Sequence, residues 1–303
     1  MLKSEIGIIG AGPSGIACAI QLKRYGIDYL FFEKEYSGGL IKNAFLIENY
    51  LGFPEGITGE EFVRLLKRQI QKHKIRIIKE EVVSVRYKNN KFYIKTQKGN
   101  YQTSILVIAT GTIPKQLPIP VAHDCQSRVF YEVYQLKKIR NKLIAVIGSG
   151  DAAFDYALSL SKKNKVLILN RTERVKCLPV LFQRVMQNKK IDYLTSIEIK
   201  RIDFENNKLA LYTDGKKIIV DYLVVAIGRK PNFNFLDKSL KEKIKILETR
   251  KKLYIIGDVK NGIFRQTGIA IGDGIKAAMG IYRKRQLGAI KKGSKGLKKA
   301  KGR

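Results

Sequence analysis

Gly10, Gly12 and Gly15, in the run Gly10-Ala-Gly-Pro13-Ser14-Gly15, are spaced to bring main chain against a pyrophosphate. The first glycine permits a tight turn, the second lets the phosphates approach, and the third lets a helix pack close to the preceding strand. A helix starting there turns free N–H groups and the positive end of its dipole toward the anion. Glu33 follows at a distance that suits a hydrogen bond to a ribose 2′-hydroxyl. A second glycine turn, Gly148-Ser-Gly150-Asp151-Ala152-Ala153, repeats the pattern. Where an NAD site would then place a carboxylate, the chain has Asn170-Arg171-Thr-Glu-Arg-Val-Lys176. A planar guanidinium suits a 2′-phosphate, so Arg171 favours NADPH over NADH without settling the choice.

The elements needed to hold these residues follow from the pattern of apolar runs. Ile6–Ile9 reads as a buried strand, Ile16–Tyr25 as a helix, and Tyr29–Phe32 as a second strand. Thr58 to Glu61 fits a helix start, and Phe62–Lys72 carries helical spacing. Residues 82–104 read as three strands with turns at Asn89-Asn90 and Gly99-Asn100, and Ile105–Ala109 as an apolar strand ending in Thr110-Gly111. Residues 112–120, with three prolines, read as a linker. The plan then recurs: strand 143–147, glycine turn, helix 154–162, strand 166–169, a meander over 197–220, and an apolar strand 222–227 ending at Gly228. The repeat implies an internal duplication and two nucleotides on one chain. The strand 253–256, with Gly257-Asp258, is expected to return to the first domain. The expected fold class is α/β, with two Rossmann-like, three-layer nucleotide-binding domains carrying β-meanders, the second inserted into the first. The expected division is 1–115, 116–229, 230–285 and a basic, disordered tail over 286–303.

The chain has 303 residues and a net charge of +33, from 59 basic and 26 acidic side chains. Nine basic and no acidic residues lie beyond Arg283. Such a field attracts acidic partners, although a lysine-rich surface that is merely solvated accounts for the charge equally well. No apolar run reaches membrane-spanning length. The first strand begins within a few residues of Met1, which leaves no room for a signal peptide. Cys18, Cys125 and Cys177 are few and far apart, which argues against a disulfide framework and for a reducing cytoplasm. His73 and His123 have no partner at metal-ligand spacing, and no metal site is assigned.

Taken in order, these segments resemble the low-molecular-weight thioredoxin reductase family of flavoproteins. The resemblance rests on the Gly10–Gly15 turn with Glu33, Gly38-Gly39-Leu40, and Glu48-Asn49-Tyr-Leu-Gly-Phe-Pro54. It also rests on Ala109-Thr110-Gly111, the second glycine turn, Gly228-Arg-Lys-Pro-Asn232, and Gly257-Asp258 followed by Arg265-Gln266. It implies an FAD domain split around an NAD(P)H domain, in a homodimer. FAD would lie on Gly10, Gly12, Pro13, Ser14, Gly15, Glu33, Lys34, Gly39, Leu40, Asn49, Val83, Ala109, Thr110, Gly111, Gly257, Asp258, Arg265, Gln266 and Thr267. The nicotinamide nucleotide would lie on Gly148, Gly150, Asp151, Ala152, Arg171, Lys176 and Gly228. Lys176 would replace one arginine of the family's NADPH-reading set, and Thr172 loses another.

One departure bears on function. Thioredoxin-reducing members carry a Cys-x-x-Cys ahead of the second glycine turn, but the corresponding stretch here, Val129-Phe-Tyr-Glu-Val-Tyr-Gln-Leu136, contains no cysteine. The flavin is then the reagent and the protein supplies placement, with the hydride donor held roughly 3–3.5 Å from the acceptor. No catalytic side chain is assigned. Three readings stay open. The first is an NAD(P)H-dependent flavoprotein serving an acidic carrier, a ferredoxin or flavodoxin. It resembles the ferredoxin/flavodoxin–NADP reductases of this fold, which share the missing dithiol and a stretch like Phe130-Tyr-Glu-Val133. Their terminal flavin-covering aromatic is missing, since no aromatic follows Tyr282. The second is a thioredoxin reductase-like protein acting on a partner's disulfide or a small molecule. The third, a flavin-containing scaffold whose tail binds nucleic acid, is the least favoured because the tail has no stacking aromatics.

Overall fold

The computed structural model describes residues 1–300, with side chains to Leu287. The chain forms two compact units. The first comprises Met1–Ile41, Phe62–Thr112 and the stretch from Pro231 onward; the second comprises Lys42–Glu61 and Ile113–Lys230.

In the first unit, five parallel strands run in the order Leu253–Ile255, Ile105–Ile108, Ile6–Ile9, Leu30–Glu33, Ile78–Lys79. The two central strands are buried at every position, as continuous apolar runs in a parallel sheet must be. The meander is Val82–Lys88, Lys91–Thr96 and Asn100–Thr103. Asn89 and Asn90 both take positive φ (48° and 66°), the left-handed pair a two-residue hairpin demands. Phe32, Phe92, Ile94, Leu106 and Ile108 fill the core with Leu240 and Leu247 of helix Lys238–Thr249. That helix, capped by the Asp237 carboxylate on the Leu240 N–H (2.7 Å), was not anticipated from the sequence.

The second unit repeats the plan. Its sheet runs Val129–Phe130, Tyr222–Val225, Leu143–Ile147, Lys165–Leu169, Ile191–Leu194. Its meander spans Arg201–Val220 in three antiparallel strands. The edge strand that Leu253–Ile255 supplies in the first sheet is supplied here by Val129–Phe130, inside the cysteine-free stretch. Helix Pro179–Met186 and strand Ile191–Leu194 complete this unit; neither was anticipated.

Three expectations shift. The first helix spans Pro13–Arg24 rather than starting at Ile16, with proline at its tolerated first position. Segment 42–61, expected with the first domain, is bound into the second unit. Asn43 donates to Glu132 (2.5 Å) and accepts from the Tyr134 N–H (3.0 Å), while Asp155 accepts from the Phe45 N–H (2.9 Å). Arg184 donates both guanidinium ends to Glu48 (2.6 and 2.8 Å). Helix Thr267–Ala300 continues through the segment expected to be disordered from 286, in keeping with the alanine, leucine and lysine it contains; residues 301–303 of that expected tail lie outside the described residues.

The Asp155 contact has a pH signature. Burial pushes this carboxyl up to about 6, against the pull of the Phe45 and Leu46 N–H groups and of Lys137. In the unfolded chain it titrates near its ordinary value of about 3.9. Between those values the folded chain holds the extra proton, so the group's contribution is complete at low pH and is lost as pH rises. Relative to Asp155→Asn, the wild type should lose about 2 kcal/mol of unfolding free energy between roughly pH 4 and pH 7. Parallel urea titrations at several pH values measure the difference, and a pH-independent difference would contradict it.

Candidate dinucleotide sites

The first glycine turn is built by close approach. Gly10 has φ +102°, and a β-carbon on it would stand 2.4 Å from the Ala109 carbonyl oxygen. One on Gly15 would stand 1.9 Å from the Gly10 oxygen. Gly12 differs: its φ is −76°, and a β-carbon would meet no protein atom within 4 Å. The main chain is therefore bare on the side where a pyrophosphate would lie, at the N-terminus of helix Pro13–Arg24. Glu33, at the end of its strand, accepts from the Ala11 N–H through Oε2 (2.7 Å) and from the Glu35 N–H through Oε1 (2.9 Å).

Other residues assigned from sequence gather on this turn. The Gly38 N–H donates to Ala11 O (2.7 Å), and Gly39 lies against Gly12, its would-be β-carbon 3.2 Å from the Gly12 Cα. Leu40 follows in the short helix Gly39–Asn43. Thr110 Oγ1 donates to Asn232 O (2.8 Å), and the Asn232 N–H returns to Gly111 O (3.1 Å). Gly257 closes on buried Ser14, whose Oγ would stand 2.5 Å from an added β-carbon. Asp258 lies in the turn Gly257–Val259, and Arg265 and Gln266 immediately precede helix Thr267–Ala300. Lys34 is half-exposed and pairs with Glu81 (3.7 Å). Val83 is exposed on the meander strand Val82–Lys88, at a register shift. Asn49 is exposed and belongs to the second unit.

The second turn copies the first. A β-carbon on Gly148 would stand 2.5 Å from the Ala226 oxygen, matching Gly10 and Ala109, while Gly150 is as open as Gly12. Ala153 stands where the third glycine would be, a replacement the motif tolerates. Ala152 is exposed in the first turn of helix Asp151–Ser161. Asp151 Oδ1 accepts from the Leu178 N–H (2.8 Å), which ties the glycine turn to the loop after strand Lys165–Leu169. Arg171 and Lys176 are exposed on that loop, and the Lys176 N–H donates to Ser149 O (2.9 Å). Gly228 is exposed with φ +109°, and its oxygen accepts from the Lys115 N–H (3.0 Å).

Asp273 was missed in the sequence. Its Oδ2 accepts from the Gly257 N–H (3.0 Å) and from Asn261 Nδ2 (2.7 Å), which fixes the turn carrying Asp258. Only contact across 16 residues reveals it; nothing in the local pattern distinguishes it from a solvated helical carboxylate.

The stretch that lacks the dithiol is anchored by buried apolar side chains and polar contacts, with Tyr134 and Gln135 exposed. Val133 and Leu136 are completely buried. Glu132 accepts from Asn43 and from Arg229 (2.7 Å). The three cysteines lie elsewhere. Cys18 is buried in the first helix, where desolvation pushes its thiol up to about 12, and Cys125 is completely buried against Ile202 O (Sγ to O 3.9 Å). Burial also raises the Cys177 thiol. A thiol raised in this way is a poor nucleophile. Among the described residues, no group of three or more acidic, cysteine or histidine side chains could hold a metal, and no helix is long and apolar enough to cross a membrane.

Both turns fit dinucleotides: each presents an open glycine at a helix N-terminus, with the strand-end loop hydrogen-bonded to the turn. FAD in the first cradle would be held by Gly10, Gly12, Gly15 and Glu33. Comparison with known proteins agrees with this architecture. The profile of the pyridine nucleotide-disulphide oxidoreductase family matches residues 4–274. A thioredoxin reductase of Chlamydia pneumoniae is 28% identical, over 93% of this chain and 99% of its own length. The crystal structure of T. acidophilum thioredoxin reductase superposes with a TM-score of 0.82 at 25% identity, over 94% of this chain and 99% of that one. The Lactococcus lactis thioredoxin reductase structure gives 0.81 at 24% identity, over 92% and 98%.

Proposed function

Because the chain belongs to the pyridine nucleotide-disulphide oxidoreductase family, as an FAD- and NAD(P)H-dependent oxidoreductase, we propose that it takes hydride from NADPH and passes the electrons directly from the flavin to an external acceptor. The observation that carries this reading is the cysteine-free stretch 129–136, filled by buried Val133 and Leu136 and by the Glu132 anchor. FAD held at the first glycine turn would supply the redox chemistry between the nicotinamide and the acceptor. The chain's part is positional: Gly12 and Gly150 admit the phosphates, helix N-termini stabilise their charge, and Glu33 holds a ribose. Arg171 and Lys176 read the 2′-phosphate.

The acceptor we favour is an acidic one-electron carrier, a ferredoxin or flavodoxin. The charge of +33 supports it through steering of a negative partner. A second reading, reduction of a partner's disulfide or a small molecule, is favoured by the name of the Chlamydia pneumoniae relative. Prereduced protein mixed with each acceptor separates the two. Flavin reoxidation by the carrier, slowing as salt rises, supports the first; reoxidation only by a disulfide overturns it in favour of the second. The setting in this proposal is the cytoplasm and the working form a homodimer, which sedimentation of the purified protein would test.

Arg171→Ala should raise the apparent Kd for NADPH roughly tenfold or more, the worth of a lost charge-assisted contact, and leave that for NADH nearly unchanged. Equal losses for both nucleotides would remove Arg171 from the 2′-phosphate site.

A further inference from the structure

The loop that carries Arg171 and Lys176 is organised around a buried side chain. Asn170 ends the strand Lys165–Leu169 at the place where Glu33 ends its counterpart in the first sheet. It is 3% exposed. Its Nδ2 donates to Arg174 O (3.1 Å) and to Tyr193 Oη (2.9 Å), and its Oδ1 accepts from the Thr172 N–H (3.2 Å). Both ends of the amide are thus engaged within the protein. Its main chain is fixed as well, by the Asn170 N–H on Leu194 O (2.9 Å) and the Ile197 N–H on Asn170 O (3.0 Å).

Only an uncharged amide fits these partners. The Arg174 carbonyl needs a donor and the Thr172 N–H needs an acceptor, and Asn presents one of each on opposite atoms. A carboxylate could keep the Thr172 contact but would set a negative oxygen against the Arg174 carbonyl. The loop 170–174 is therefore wrapped around the amide, with Arg171 and Arg174 exposed on its outside. The far end of the loop is pinned to the glycine turn by the Lys176 N–H on Ser149 O and the Leu178 N–H on Asp151.

We infer that Asn170 is the positioning residue for NADPH selectivity: it makes no contact with the nucleotide and acts by folding the cationic loop into the shape that meets a 2′-phosphate. This rests on the NADPH reading above. In place of the ribose-binding carboxylate of the first turn, the second turn has an inward-facing amide, and selectivity passes to the cations the amide arranges. Substitution should accordingly change the discrimination between nucleotides and leave the chemical step alone.

The test is anaerobic stopped-flow reduction of the FAD-loaded, full-length protein by NADPH and by NADH, for the wild type, Asn170→Ala and Asn170→Asp. Asn170→Ala should raise the apparent Kd for NADPH roughly tenfold and that for NADH less than about threefold, with the limiting rate of flavin reduction unchanged. Asn170→Asp should weaken NADPH at least as much, because the carboxylate repels the Arg174 carbonyl and distorts the loop, and should change NADH less than about threefold. Equal factors for both nucleotides, or a fall in the limiting rate for both, would make Asn170 a structural residue only and overturn the inference. If these variants do not fold, Tyr193→Phe, which keeps the ring and deletes one partner of the amide, decides the matter. A loss confined to 2′,5′-ADP over 5′-AMP in titration calorimetry supports the inference, and no change or an equal loss overturns it. Failure of the wild type to be reduced by either nucleotide would instead defeat the underlying reading, a distinguishable result.

Discussion

Gly12→Ala should give a folded protein without flavin. The new methyl would meet no protein atom within 4 Å, and a φ of −76° is ordinary for alanine. Nothing in the chain itself opposes it, so the thermal midpoint of the apoprotein should stay close to wild type. The space the methyl fills is the one open to a pyrophosphate, and overlap there removes contacts that only glycine allows. FAD affinity should fall on the order of 100-fold, about 3 kcal/mol. Fluorescence titration of apoprotein with FAD, beside a melting curve without it, measures both quantities. Wild-type FAD affinity in the variant would move the phosphates away from Gly12.

Gly15→Ala should fail in the opposite way, by preventing the first unit from folding. Its β-carbon would lie 1.9 Å from the Gly10 carbonyl oxygen, an atom held because Gly10 itself stands against Ala109. Neither backbone segment has room to retreat. The helix Pro13–Arg24 would have to lift from strand Ile6–Ile9, exposing Ile16 and Leu22, which are almost completely buried. Overpacking commonly costs about 1–3 kcal/mol, and a backbone clash this deep adds the burial lost when the helix lifts, about 1.5–3 kcal/mol for each large apolar side chain. Against a typical margin of about 5–15 kcal/mol, the variant should accumulate as aggregate or lose its cooperative melt. A cooperative melt within a few degrees of wild type would show that the strand and helix are not packed as described.

The contrast between these two glycines marks what the sequence could disclose. The triplet spacing and the second turn were legible because each obeys a local rule of steric necessity. So were the strands Ile6–Ile9 and Ile105–Ile108, whose apolar runs match complete burial in a parallel sheet. The tie of segment 42–61 to the second unit was not legible. It depends on Asn43, Asp155 and Arg184 meeting partners 89 to 136 residues away, and polar side chains in loops carry no such signal. Asp273 and Asn170 were hidden for the same reason: their chemistry is ordinary and only their partners give them a role. Helix Lys238–Thr249 shows a different failure. Its many lysines mask an apolar stripe whose buried members are Leu240 and Leu247.

With no Cys-x-x-Cys in the chain, electrons must leave from the flavin itself. Anaerobic titration of the FAD-loaded protein with NADPH, following the flavin absorbance to its end point, reads this out. With the flavin as the sole redox group, one NADPH per flavin should complete the bleaching, and the triple variant Cys18→Ala, Cys125→Ala, Cys177→Ala should reach the same end point. Consumption of two NADPH per flavin, falling to one in that variant, would show that thiols take part and that electrons do not leave directly from the flavin. A flavin that neither NADPH nor NADH bleaches would contradict the hydride transfer itself.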